Sequence, residues 1–191
     1  MDKETGKAVL ADGKEITAST TFTPEKSEGS VDVIFTFDAS VVAPKTVVAF
    51  ETLTYKKIQI AVHAEIEDKD QTVYIPKVRT SAIDKTTKIN HIEATSKEAT
   101  IVDTVSYEGL EVGREYTVKG VLMNKRTKKA VLIDGKEVTA QTTFTAETRD
   151  GSVEVVFTFD ATALEGTTTV VFETLYTENK EVGIHADITD K

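Results

Sequence analysis

The sequence contains no cysteine and no tryptophan, and only three of its 191 residues are proline. Without cysteine, disulfides and thiolate metal sites are excluded. Without tryptophan, the aromatic anchor most used at binding hot spots is missing. No apolar run reaches 18 residues, so no transmembrane helix and no membrane insertion are expected. Basic residues are in deficit, 23 against 32 acidic ones, for a formal net charge of -9. That balance disfavours nucleic acid and anionic membranes, which both select for basic patches. The opening "MDKETGKAVL" has neither a basic n-region nor an apolar h-region, so any export signal or wall anchor is expected outside this stretch. Zinc, phosphate-loop and Ser/His/Asp hydrolase motifs are missing, and neither a metal nor another cofactor is expected.

What is present is a long internal repeat. Residues 1–69 align without gaps on residues 123–191, an offset of 122, and 38 of the 69 paired positions are identical. "GSVDVIFTFDA" matches "GSVEVVFTFDA", "AFETL" matches "VFETL", and "DGKE" and "TTFT" occur in both copies. A period this long does not suit a solenoid and suits a tandem array of complete small domains. The stretch between the copies, Asp70 to Leu122, is unique. Pro76, within "VYIPKVR", marks a short linker, so residues 1–75 are expected to be the C-terminal part of one domain and residues 76–191 most of a second.

Threonine, valine and phenylalanine abound and helical periodicity is scarce, which points to strands. In "SVEVVFTFD", Val153, Val155, Phe157 and Phe159 share a face by strict alternation. Asp134-Gly135 and Asp150-Gly151 are each read as hairpin turns. The expected fold class is all-β: antiparallel Ig-like β-sandwich domains in tandem, both truncated in this stretch.

Several polar residues fall on apolar faces. Asp103 lies with Ile101, Val105 and Tyr107. Glu173 lies with Val171 and Leu175, and its repeat counterpart Glu51 lies between Ala49 and Leu53. Thr80 goes with Val78 and Ala82, and Gln71 with Val73 and Ile75. A carboxyl turned toward a core is costly unless hydrogen-bonded or protonated, and burial can keep it neutral as a donor. By simple alternation His63 and His185 fall opposite Ile60, Val62 and Ile184 and so face solvent; a bulge or a sandwich edge would be needed to turn them inward. His91, in "KINHIEATS", sits in a polar connection.

"HAEIEDKDQTV", "TVVAFETL", "KVRTSAIDK", "IVDTVSYEGL" and "EYTVKGVLM" together resemble the repeat domains of Gram-positive surface adhesins that carry a Thr-Gln ester cross-link, the VaFE-repeat or T-Q ester bond domains. The resemblance implies an autocatalytic link in which a threonine near the first strand attacks the side-chain amide of a glutamine on the last, with loss of ammonia. It implies a histidine that moves the proton and buried acids that stabilise the oxyanion. Position by position, the second domain offers Thr80 as nucleophile, Asp103 and Glu173 as acids and His185 for proton transfer. The first offers Glu51, His63 and Gln71. Each holds what the other lacks, so the stretch resembles a window from a longer array, and no intradomain ester is expected within residues 1–191.

The function implied is a structural stalk segment of an extracellular, cell-wall-anchored adhesin or pilus-like protein. Its partners would be neighbouring repeat domains, with strand complementation between chains a further option. It would not be a turnover enzyme, because one reaction consumes its own side chains. Two alternatives stand beside this one: a β-sandwich that grips host glycan or protein without a covalent link, and a related sandwich with a Lys-Asn isopeptide, for which "DQTVYIP" offers glutamine in place of asparagine.

Overall fold

The computed structural model describes residues 1–190, and these divide into two compact units, 1–75 and the portion from Pro76 onward. Strands are the main regular structure in both, and every strand pairing among the described residues is antiparallel.

In the first unit the strands are β1 (Leu10–Ala11), β2 (Lys14–Glu15), β3 (Lys45–Val48), β4 (Glu51–Tyr55), β5 (Ile58–His63) and β6 (Thr72–Ile75). They form three pairs, β1 with β2, β3 with β6 and β4 with β5. A small core gathers Val9, Val42 and Ile75. Beside it an apolar cavity of about 310 Å³ is lined by Met1, Ile16, Phe35, Phe37, Val47 and Val73.

The second unit holds β7 (Lys77–Asp84), β8 (Ala99–Glu108), β9 (Glu115–Asn124), β10 (Lys129–Ala130), β11 (Leu132–Ile133), β12 (Lys136–Glu137), β13 (Thr139–Thr145), β14 (Gly151–Phe159), β15 (Thr169–Thr177) and β16 (Lys180–His185). One sheet has the order β14-β8-β7. A second runs β10-β9-β15-β16, with β13 also on β9, and β11 and β12 form a separate two-stranded pair. The first two give their alternate residues to a single core: Val78, Ile101, Val105, Val155 and Phe157 from the first meet Val118, Leu122, Val171 and Leu175 from the second. Two contacts fix the approach of the sheets. Phe157 lies where a β-carbon on Gly120 would come within 2.5 Å of its ring, so only glycine fits there. Tyr107 of β8 stacks on Phe144 of β13 with ring centroids 5.2 Å apart.

Asp134-Gly135 forms the expected tight turn, both residues at positive φ, between β11 and β12. Asp150-Gly151 does not. β13 pairs with β9 while β14 pairs with β8, so this connection crosses between sheets. Asp150 Oδ1 instead accepts the Gly109 amide at 2.9 Å, and Gly151 leaves room for the Tyr107 ring.

The repeat supplies an internal control on strand formation. "TTFT" and "GSVEVVFTFDA" enter β13 and β14 in the second unit, yet their near-identical counterparts at 20–23 and 29–39 form no strand in the first. The difference is partners. β13 and β14 lie against β9 and β8, and residues 1–75 hold no counterpart of β8 and only the last two positions of β9. Alternation marks a strand's face, but the ladder needs a neighbour. Phe35 is accordingly 37% exposed where Phe157 is 1% exposed.

Phe157→Ala is expected to cost about 3–5 kcal/mol, the usual penalty for emptying an aromatic site in a core. Phe35→Ala should cost about 1 kcal/mol or less, as a half-exposed position does. Amide hydrogen exchange read unit by unit distinguishes the two; equal losses would mean the two phenylalanines are packed alike.

Candidate functional site

The central feature is a pair of buried carboxyls facing each other across the core of the second unit. Asp103 sits in β8, the middle strand of its sheet, between Ala82 on β7 and Val155 on β14. Glu173 sits in β15, between Gly120 on β9 and His185 on β16. Both side chains point inward on the alternation that also buries Ile101, Val105, Val171 and Leu175, and they are 0% and 1% exposed. As ionised groups neither could donate to the other, and their four buried oxygens have only the Ser81 amide beside Asp103 and the Thr80 hydroxyl beside Glu173 as donors from the neighbouring strand. A proton resolves this by letting one carboxyl donate to the other. Burial raises both groups above the carboxylate range, and Glu173, held further by its hydrogen bond to Asp103 and by that group's charge, is pushed up to about 10. The pair therefore retains a proton at neutral pH, which makes it a hydrogen-bond donor in an apolar site.

Thr80 and His185 complete the cluster. Thr80, half-buried on β7 opposite Val105, has its Oγ1 3.4 Å from His185 Nδ1. The same Nδ1 is 3.6 Å from Glu173 Oε2. His185 is turned inward, contrary to simple alternation. Between Leu175, which faces Gly183, and Tyr176, which faces Glu181, the register slips and Val182 is the extra residue. This bulge switches parity, so Val182 packs on the core before it, His185 points inward after it, and Ile184 is left 58% exposed.

The first unit repeats half of this arrangement. Glu51 lies opposite His63, with Nδ1 to Oε2 again 3.6 Å, after the same slip between Leu53 and Thr54. Gln71 immediately precedes β6. Its main-chain oxygen accepts the Ala49 amide at 3.1 Å, and β6 continues along β3. In the second unit the repeat counterparts of residues 46–49 are residues 168–171. These line a groove of about 160 Å³ together with Thr80, Ile101, Leu122 and Asp190. The position that the glutamine strand takes in the first unit thus corresponds to a groove with Thr80 on its wall. Thr80, Asp103, Glu173 and His185 are gathered in one unit, and Glu51, His63 and Gln71 lie in the other.

One pair of residues escaped sequence reasoning. Asp68 Oδ2 is 2.9 Å from His63 Nε2, and Asp190 Oδ2 is 3.5 Å from His185 Nε2. The signal was available in the repeat, since "HAEIED" and "HADITD" keep the same spacing from histidine to aspartate. It was masked by the acidic residues around it.

The family model for the T-Q ester bond containing domain matches residues 1–75 and 76–191. The chain belongs to this family. Among solved structures, this T-Q domain chain is similar to a bacterial adhesin from Mobiluncus mulieris that contains intramolecular disulfide, isopeptide and ester bond cross-links. In one crystal form the identity is 20% and the TM-score 0.51, and in another 19% and 0.50. Each match covers 60% of this chain and 54% of the adhesin chain, so the T-Q chain spans about half the length of the structures it matches. At this identity the likeness speaks to the fold. Comparison with curated proteins gives no significant match.

The raised Glu173 has a consequence for stability. Between its ordinary value of 4.5 and about 10, the folded chain holds a proton that the unfolded chain has released. The stabilisation tied to that proton is complete below 4.5 and is lost as pH rises toward 10. Glu173→Gln removes this dependence. The variant should melt about 5 °C above the parent at pH 9, the effect of ~1 kcal/mol in a domain of this size, with a smaller difference at pH 5. Parallel melting curves at both pH values would place the proton elsewhere.

Proposed function

We propose that the second unit builds an ester between Thr80 and a glutamine carried on a strand in the groove beside it. What carries this reading is the convergence of Thr80 and His185 on the buried Asp103–Glu173 pair, next to a groove whose repeat counterpart is paired with the strand of Gln71. Thr80 Oγ1 bonds to the glutamine carbonyl carbon as its proton passes to His185. The protonated acid pair donates to the oxyanion, as preorganised donors do in acyl transfer. The tetrahedral intermediate then expels the amide nitrogen, which takes the proton back from His185 and leaves as ammonia. The first unit supplies the complementary half, with Gln71, Glu51 and His63.

The reaction happens once per domain and consumes its own side chains, so the protein is not a turnover enzyme. Its product is mechanical. The ester closes a loop of roughly 110 residues and, by analogy with a disulfide of that span, would stabilise the unit by about 4–5 kcal/mol. In a chain without cysteine this is a route to a covalent clasp. The larger setting that fits is a stalk of repeat domains in an adhesin at a Gram-positive cell surface. The Mobiluncus mulieris adhesin, which contains ester bond cross-links, supports that setting.

The test is to extend residues 1–191 with Asp-Gln-Thr-Val-Tyr-Ile-Pro, the sequence that follows the first copy of the repeat. The extended chain should lose one ammonia by intact mass and yield a Thr80-linked peptide. Thr80→Ala should abolish the link. Glu173→Gln or Asp103→Ala should slow it by about 100-fold, the scale of losing one oxyanion donor. An extended chain that keeps its full mass after prolonged incubation contradicts the reading.

A further inference from the structure

We infer that Lys125, and Lys3 at the same place in the first unit, are positioning residues that fix the register of the glutamine strand by gripping the threonine that follows the glutamine. The inference rests on the proposed ester chemistry and adds to it a residue that touches none of the reacting atoms.

The two lysines occupy one place in the repeat. The Lys3 amide donates to Thr46 O and the Lys125 amide to Thr168 O, both at 2.9 Å. Thr46 belongs to β3, which pairs with β6 so that Val48 faces Thr72 and Val47 faces Val73. The Lys3 side chain reaches across β3, and its ammonium lies 3.5 Å from Thr72 Oγ1. Thr72 Oγ1 in turn donates to the main-chain oxygen of Asp68. The direction of this chain is forced, since an ammonium only donates and a hydroxyl has a single proton to give. The ammonium is also 3.4 Å from Glu67 Oε2, but that side chain is 83% exposed and such a pair contributes little. Thr189 stands at this place in the second copy, so the Glu67 contact is not part of the repeat.

In the second unit the Lys125 side chain lines the groove beside Thr80, and its ammonium donates directly to the main-chain oxygen of Asp190, the counterpart of the Asp68 oxygen. The two units thus hold the same two ends of one hydrogen-bond chain. In the first, the hydroxyl of the glutamine strand stands between ammonium and carbonyl; in the second, the two meet directly. Inserting a hydroxyl leaves neither end without a partner. A side chain with no short hydroxyl arm cannot be inserted, so the grip selects threonine or serine after the glutamine.

Register is what such a grip controls. A slip of one residue turns every side chain of a strand to its other face, which would carry the glutamine amide away from Thr80. Neighbouring strand residues point to opposite faces, so a hold on Thr72 acts from behind the glutamine side chain and leaves it free to react. The ladder bond next to the grip is that of the Ala49 amide to Gln71 O, at 3.1 Å.

Two measurements test this. In the 191-residue chain, hydrogen exchange of the Ala49 amide should be about five- to tenfold faster in Lys3→Met and in Thr72→Val, the scale of one net hydrogen bond. The double variant should exchange no faster than Thr72→Val alone, and the amides between β4 and β5 should be unchanged. Unaltered exchange at Ala49, or losses that add in the double variant, overturns the inference. In the chain extended with Asp-Gln-Thr-Val-Tyr-Ile-Pro, Lys125→Met should slow ester formation by about tenfold, as a misplaced reactant does. Lys125→Arg should recover part of the rate. Valine in place of the extension's threonine should slow the reaction similarly, and serine should keep most of the rate. On the valine strand Lys125→Met should have no further effect, whereas a general loss of stability would slow both strands alike. Equal rates in parent and Lys125→Met, or equal slowing on the threonine and valine strands, also overturns it. A parent chain that forms no ester counts against the proposed cross-link, and the exchange result still decides the grip.

Discussion

Two carboxyl groups without a cation, in the core of a small β-structure, are the constraint on which the rest of the second unit depends. An isolated buried carboxylate is among the most expensive groups a core can hold. Asp103 and Glu173 escape that cost by sharing a proton, and sharing is possible only because the two sheets bring β8 and β15 face to face at the right depth. The close approach at Gly120 and Phe157 and the Tyr107–Phe144 stack hold that spacing. A fold stabilised by apolar packing thus keeps a donor in a dry site, where a hydrogen bond to a developing oxyanion is strongest.

The proton has its counterpart in the bulge. A regular β16 would send His185 to the solvent and leave Thr80 without the imidazole beside it. One extra residue, Val182, reverses the parity of the strand's end and faces the imidazole toward Thr80 and Glu173. The same slip next to His63 in the first unit shows that it belongs to the repeat and is no accident of one copy. Bulges beside reactive groups commonly re-aim a side chain in this way.

Much of this was legible in the sequence, and the rest was not for definite reasons. Strict alternation places Asp103 and Glu173 on apolar faces, and the structure finds both buried. Pro76 marks the linker where the division is expected, and the repeat pairs Glu51 with Glu173 and His63 with His185. Alternation fails at the histidines because a bulge is a matter of pairing with β15 and leaves no mark in the strand's own pattern. It fails at Asp150-Gly151 because a turn dipeptide does not say whether its flanking strands share a sheet. It also cannot tell residues 29–39 from 151–161, which are nearly the same sequence in different company. Asp68 and Asp190 were hidden among other acids, and only the distances to Nε2 single them out.

The most direct test of the account is the ionisation of Glu173 itself, read from its side-chain carboxyl 13C resonance across a pH titration of the folded chain. The account predicts a resonance that stays at the protonated position through pH 7 and begins to move only on approach to about 10. A Glu173 carboxyl that ionises near the ordinary 4.5 while the fold stays intact would contradict it, and would remove the donor on which the proposed chemistry depends.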